Sequence, residues 1–485
     1  MQLSDLLPDD MPVPDGADAI DMTSITADSR AVKPGALFAA LAGSRTDGAC
    51  FVADAVAKGA AAILASDGAT IDAPAHVPVL RASEPRRALA LIAARFHAQQ
   101  PAHMLAITGT SGKTSVADFT RQILITLGQQ AASVGTIGLV RPDGAVYGSL
   151  TTPDPVSLHE TLDGLARDGI THVAFEASSH GLDQYRLDGV RVTAAAYTNL
   201  GRDHLDYHPT LDAYLAAKLR LFSELLPEDG TAVINADGAE AVRVIDLVRR
   251  RGVRCFTTGQ LGDTLRLVDT VRDGFDQRIT VRAEGRDHAL VFPLLGSYQV
   301  ENALVAAGLA IACGLSVDAA LGALETLRGV PGRLEIVARH NGGLAVVDYA
   351  HKPEALAAAL DALRPFATGK LICVIGCGGD RDRGKRPIMG RIAVDRADVV
   401  IITDDNPRSE NPADIRAEML ANAPGAHEIG DRGTAIAAGV AELGEGDVLL
   451  VAGKGHEIGQ IVGGITLPFS DHEAVQAAIE GKTYG

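Results

Sequence analysis

Short, wholly apolar runs recur along the chain, each followed by a polar or glycine-rich turn and then by helically spaced residues. Residues 36–40 and 61–65 are the first such runs, and a helix is predicted over 83–99, closing just before Pro101. An apolar run of this length suits a strand buried on both faces, and the helix after it suits the crossover that a parallel neighbour requires. The pattern resumes with a strand at 105–108, a glycine-rich turn and an amphipathic helix running to Gly128, with further strands near His172, Ala194 and Thr231. It restarts after residues 329–332, with strands at 344–348, 371–376, 399–403 and 448–452. The expectation is an α/β protein of three domains, over residues 1–100, 101–329 and 330–485.

Composition narrows the class. With 485 residues, 47% of them hydrophobic, the chain can bury several cores. A formal charge of −17 argues against nucleic acid and anionic membranes, since phosphates repel an acidic surface. The five cysteines (Cys50, Cys255, Cys313, Cys373 and Cys377) form no CxxC pair, which suits a reducing compartment. The first ten residues lack a basic start and an apolar signal core, and no apolar run is long enough to span a bilayer. A cytoplasmic protein without membrane insertion is expected.

Candidate chemistry begins at Gly109-Thr110-Ser111-Gly112-Lys113-Thr114-Ser115, between a predicted strand and helix. Backbone N–H groups and a helix N-terminus there can cradle phosphates, with Lys113 on the β and γ phosphates and the Thr114 hydroxyl on Mg²⁺. Ile107 stands where the first glycine of the general P-loop pattern would be, so the loop belongs to a shorter subclass. Glu176 ends another strand, where α/β sheets place ligands. Residues 198–208 are densely polar. Taken alone, His204 reads as a structural histidine and Lys218, in the helical run 212–225, as a solvated surface charge.

In order and spacing, the segments 108–115, 176–182, 199–208 and 216–218 resemble the Mur ligases of peptidoglycan synthesis, and the resemblance spans all three domains. It implies a small N-terminal α/β domain, a central P-loop domain with a parallel or mixed sheet, and a Rossmann-like C-terminal domain. It implies ATP on residues 109–115, Asn302, Arg333 and Asp348, with one Mg²⁺ on Thr114 and Glu176. A second metal would fall to His204 and a carbamylated Lys218. Lys113, Glu176, His204, Lys218 and Arg333 would be catalytic. Gln299 and Lys352 depart from the family pattern, as does Leu150, which stands where an asparagine is often found.

The resemblance extends to substrates. Segments 26–30 and 44–48 look like uridine-nucleotide loops, giving Ala27, Ser29, Ser44, Arg45 and Thr46 to UDP. Thr151, Thr152, Ser178, Gln184 and Arg186 match positions around the muramoyl dipeptide. Three polar loops follow the strands of the third domain, and their shared edge suits a ligand carrying carboxylates and an ammonium. Asp405-Asn406-Pro407-Arg408 resembles the signature of ligases that select meso-diaminopimelate, which adds Arg381, Gly453 and Glu457 to the amino-acid site. The implied activity is ATP-dependent addition of meso-diaminopimelate to UDP-N-acetylmuramoyl-L-alanyl-D-glutamate through an acyl phosphate, by a monomer. A folate polyglutamate ligase shares the short P-loop, but the loops at 26–30 and 405–408 argue against it.

Overall fold

In a computed structural model describing residues 1–43, 46–146, 150–204, 207–482 and 484, the apolar runs become strands of three main sheets. The chain divides into two units, one of residues 1–266 and 304–320, the other of 267–303 and 321–485.

The first unit opens with a four-stranded, all-parallel sheet: Ser24–Thr26, Ala36–Ala39, Ala60–Ser66 and Val79–Ala82. The helix predicted at 83–99 runs Pro85–Phe96. Proline occupies its first turn, where no backbone N–H is needed, and Leu89 and Ile92 are buried on its inner face. The larger sheet of this unit centres on His103–Thr108, flanked by His172–Glu176 and Val192–Tyr197. Thr231–Asn235 and Arg254–Gly259 extend it on one side and Ala131–Gly135 on the other, all parallel. Two short antiparallel strands, Gly138–Arg141 and Gly144–Val146, finish the latter side. Parallel strands send all their C-terminal ends to one edge. Three adjacent strands therefore deliver the glycine-rich turn, Glu176 and Thr198-Asn199 side by side, at the position where open α/β sheets bind ligands.

The second unit holds a six-stranded sheet in the order Glu335–His340, Gly343–Asp348, Val448–Ala452, Leu371–Ile375, Val399–Ile402 and His427–Glu428. Only the first pair is antiparallel. Apolar cores cover both faces, which is why the central strands read as unbroken apolar runs. Two antiparallel hairpins complete this unit, Asp276–Ala283 with Arg286–Phe292 and Gly459–Val462 with Ile465–Pro468. Among the described residues no helix is long and apolar enough to cross a membrane.

One buried group makes the first unit sensitive to acid. His159, on the helix Pro155–Arg167, is fully buried; its Nε2–H donates to the Asp188 carbonyl at 2.9 Å, and among the described residues its Nδ1 has no hydrogen-bond partner. Burial pushes its pKa from 6.5 down to about 4. Below 6.5 the unfolded chain takes up a proton that the folded chain refuses, so stability present above that pH drains away as pH falls toward 4. His159→Gln should lose stability less steeply than wild type over this interval, read as urea midpoints against pH. An unchanged slope would show that the burial of His159 is not the cause.

Candidate active site

The glycine-rich turn is fixed from both sides. Gly112, with positive φ, caps the helix Lys113–Thr126. The Ser111 N–H donates to Asn199 Oδ1 at 3.0 Å, Thr198 Oγ1 donates to the Ser111 carbonyl at 2.6 Å, and the Gly201 N–H donates to Thr110 Oγ1 at 2.8 Å. At Gly109, φ +150, a Cβ would collide with Thr198 Oγ1, so this approach requires glycine. Lys113 Nζ donates to the carbonyls of Gly109 (2.9 Å) and Thr110 (3.0 Å), while Ser115 is buried in the first helical turn.

Thr114 and Glu176, read from sequence as ligands of one metal, are in contact: Thr114 Oγ1 donates to Glu176 Oε1 at 2.9 Å. The same oxygen accepts from the Thr136 N–H at 2.7 Å, and Oε2 accepts from Thr136 Oγ1 at 3.3 Å. Thr136, which sequence reasoning missed, also meets Thr151 Oγ1 at 3.1 Å. Gly135 leaves the room for this carboxylate, since a Cβ there would strike it.

Lys218 is not the solvated surface charge that its residue type alone suggests. It is 1% exposed, its Nζ donates to the Gly109 carbonyl at 2.7 Å, and it lies 4.3 Å from the centre of the Tyr214 ring. Burial, reinforced by the Lys113 charge and opposed by Asp203, pushes its amine well below the usual lysine range. The helix Leu211–Arg220 that carries it passes into a π-helical turn, Leu221–Leu225. His204 joins this group through aromatic contacts, with ring centres 6.2 Å from Tyr214 and 4.8 Å from His180. It holds a left-handed backbone, φ +54, the kind of local strain that collects at functional sites. Asp203 and Tyr214 were also missed; Asp203 stood out only as part of the densely polar segment 198–208.

A cleft of about 690 Å³ in the same unit brings together Ala27, Gln184 and Arg186 with Asp28, Arg86 and Asp154, a size suited to a small-molecule ligand. Arg186 Nη1 donates to the Thr152 carbonyl at 2.8 Å and Nη2 to Gln184 Oε1 at 2.7 Å. Thr152 Oγ1 donates to the Glu176 carbonyl at 2.8 Å and lies 2.9 Å from Ser178 Oγ, which caps the short helix Ser179–Asp183. Ser29 does not line the cleft; its carbonyl accepts from Lys58. Thr46 is exposed, and Ser44 and Arg45 lie outside the described residues.

The second unit carries two clusters. Asn302 Nδ2 donates to Gln299 Oε1 at 3.1 Å, and Gln299 Nε2 donates to the Arg333 carbonyl at 3.1 Å, so the departure at Gln299 links two candidate residues. Asp348 accepts from the Leu334 and Ala350 N–H groups at 2.7 and 2.8 Å, and burial raises its pKa against the pull of Arg333. In the other cluster Asn406 Nδ2 donates to Glu457 Oε2 at 2.8 Å, while Lys454 Nζ donates to Asn406 Oδ1 (3.1 Å) and Glu457 Oε2 (3.0 Å). Burial would raise the Glu457 pKa, but Lys454 and Asn406 hold it below the usual range. Arg408, φ +52, donates through Nη1 to the carbonyls of Gly379 (2.9 Å) and Asn406 (3.4 Å). Arg381 is exposed.

Buried cations hold these loops in place. Arg386, fully buried, pairs with Glu410 and Glu418 and donates to the Gly378 carbonyl. Arg432 pairs with Asp471 at 2.6 Å, both side chains fully buried, and reaches the carbonyls of Asp404 and Ala452 next to Asp405 and Gly453. Asp405 itself is buried, which raises its pKa. Pro407 continues the loop, its carbonyl accepting the Glu410 N–H.

Three family profiles match the chain: the Mur ligase family, catalytic domain, over residues 21–97, the Mur ligase middle domain over 107–310, and the Mur ligase, glutamate ligase domain, over 332–455. The chain belongs to the Mur ligase family. It is similar to the UDP-N-acetylmuramoyl-L-alanyl-D-glutamate--2,6-diaminopimelate ligases of Bradyrhizobium diazoefficiens, 58% identical over 99% of this chain and 100% of the relative, and of Rhizobium meliloti, 55% identical over 96% of each. A solved structure bearing that ligase name aligns over 99% of both chains, with TM-score 0.74 and 33% identity.

The Arg432–Asp471 pair yields a stability test. Asp471→Asn leaves a buried guanidinium uncompensated and should cost about 3–5 kcal/mol, whereas replacing both partners by apolar residues should recover most of the loss. Denaturant unfolding of the single and double variants measures this. Equal losses in the two would contradict the ion-pair reading.

Proposed function

We propose that this protein is the ATP-dependent ligase that joins meso-diaminopimelate to UDP-N-acetylmuramoyl-L-alanyl-D-glutamate in peptidoglycan precursor synthesis, working as a monomer in the cytoplasm. The observation that carries the reading is the Asn406 node. It bonds to Glu457, an anion suited to an ammonium, and its backbone carbonyl receives Arg408, a cation suited to a carboxylate. A diamino diacid presents both groups.

The uridine and muramoyl parts would occupy the cleft lined by Ala27, Gln184 and Arg186, with the dipeptide running toward Thr151, Thr152 and Ser178. Domains over residues 1–100, 101–329 and 330–485 would hold the UDP moiety, ATP and the incoming amino acid in turn. The γ-carboxylate of D-glutamate attacks the γ-phosphorus of ATP, ADP leaves, and an acyl phosphate forms. The diaminopimelate amine then attacks the acyl carbon; the tetrahedral adduct expels phosphate and releases the amine proton. Lys113 and the loop N–H groups would neutralise charge as two anions meet. The Thr114 hydroxyl and buried Glu176 carboxylate are hard oxygen donors that fit Mg²⁺, which would supply further charge neutralisation. Burial lowers the pKa of the Lys218 amine and so favours the neutral form, which adds to CO₂ with loss of a proton; the resulting carbamate with His204 would serve a second cation.

Phosphate release from ATP in the presence of the UDP-dipeptide should rise with meso-diaminopimelate and not with L-lysine or L-ornithine, with a UDP-tripeptide product by mass. Equal stimulation by lysine would overturn the specificity, and no stimulation by any amino acid would overturn the ligase assignment. Arg408→Lys removes charge-assisted hydrogen bonds worth about 1.5–3 kcal/mol, so KM for diaminopimelate should rise roughly ten- to a hundredfold with kcat much less changed. A kcat loss at unchanged KM would contradict a binding role. Lys218→Ala should be inactive and partly rescued by formate or acetate, which replace the carbamate oxygens; full activity without rescue would eliminate the carbamate.

A further inference from the structure

The edge of the central sheet opposite the glycine-rich turn carries a cluster that the ligase chemistry leaves unused. His103 and His172 are the first residues of adjacent parallel strands and register partners. Their rings stack with centroids 4.3 Å apart and planes inclined by 13°. Cys313 follows the helix Ser297–Ala312, its N–H received by the carbonyls of Leu309 and Ala310. One donor atom from each of the three side chains lies within 4.8 Å of the other two.

The cluster has the chemistry of a ligand set. The Thr171 hydroxyl donates to the Gln130 carbonyl at 3.1 Å, so its oxygen accepts Nδ1–H of His172 at 2.8 Å. With the bond in this direction the lone pair lies on Nε2, the outer-sphere arrangement typical of metal-bound histidines. Burial, with a smaller contribution from His103, lowers the His172 pKa to about 4. Burial alone pushes the Cys313 thiol up to about 12.

We propose that His103, His172 and Cys313 bind a borderline-soft divalent cation of the Zn²⁺ type, through two imidazole nitrogens and one thiolate, with water completing a tetrahedron. Zn–N bonds of about 2.0–2.1 Å and Zn–S bonds of about 2.3 Å require the three side chains to draw in and one imidazole to rotate out of the 13° stack, so that both ring lone pairs meet at the ion. On binding, the Cys313 S–H bond breaks, its proton passes to water, and sulfur replaces one aquo ligand of the cation. Mg²⁺, which prefers hard oxygen and keeps its waters, is disfavoured here. The bound ion would tie the starts of two central strands to the end of a helix, and binding to the folded chain alone raises stability by mass action.

The test uses the full chain in excess Mg²⁺, titrated with Zn²⁺ against a chromophoric chelator and, separately, with Co²⁺ as a spectroscopic probe. One Zn²⁺ per chain should bind without displacement by Mg²⁺ and raise Tm, and Co²⁺ should give a near-ultraviolet thiolate-to-metal charge-transfer band. Cys313→Ser should abolish the band, and Cys313→Ser and His103→Ala should each weaken Zn²⁺ binding by more than the roughly ten- to hundredfold typical of outer-sphere losses. Both variants should keep the zinc-free ligase turnover of wild type, which separates a lost site from a lost fold. No zinc binding by wild type, or an undiminished band in Cys313→Ser, would overturn the site.

Discussion

The candidate catalytic edge of the first unit depends on holding one carboxylate, that of Glu176, out of water at 2% exposure. A buried carboxylate is costly unless hydrogen-bonded, and here Thr114 and both polar groups of Thr136 bond to it. Those bonds reach in different directions. Thr114 belongs to the helix that follows the glycine-rich turn, Thr136 follows the neighbouring strand, and the Glu176 backbone carbonyl receives Thr152. The phosphate-binding candidates and the dipeptide-binding candidates thus share a single support. Gly135 is a consequence of the same constraint, since its missing side chain makes the space that the carboxylate fills.

The second unit solves a related problem with the opposite charge. Its loops at 378–381 and 404–408 are tied by the Gly379 N–H to the Asn406 carbonyl, and the buried guanidinium groups of Arg386 and Arg432 brace them from below. Asp380 and Arg408 both take left-handed backbone conformations, φ +53 and +52. Such conformations persist only where the surroundings over-determine them, and the ion pairs supply that surrounding. The polar rim proposed for a charged amino acid is therefore rigid through its own buried electrostatics.

The parallel strands were legible in the sequence because burial on both faces leaves unbroken apolar runs, as at 105–108, 371–375 and 448–452. The hairpins Asp276–Ala283 with Arg286–Phe292 and Gly459–Val462 with Ile465–Pro468 were not, since they are half exposed and their polar positions blur the pattern. Motif residues at strand ends were legible for the same topological reason. Lys218 was not. A lysine on a helix reads as solvated, and its burial shows only once Gly109, far away in sequence, is brought to it. Thr136 and Arg432 escaped notice likewise, because their roles exist only once the carboxylates they serve have been buried.

The proposed reaction requires two anions, the D-glutamate γ-carboxylate and the triphosphate of ATP, to be forced together so that phosphoryl transfer precedes amide formation. The most direct measurement is oxygen transfer from substrate carboxylate to product phosphate. With UDP-dipeptide carrying heavy oxygen in the γ-carboxylate, one labelled oxygen should appear in each phosphate released as tripeptide forms. Unlabelled phosphate alongside tripeptide would contradict the acyl phosphate and with it the role assigned to the Glu176 edge.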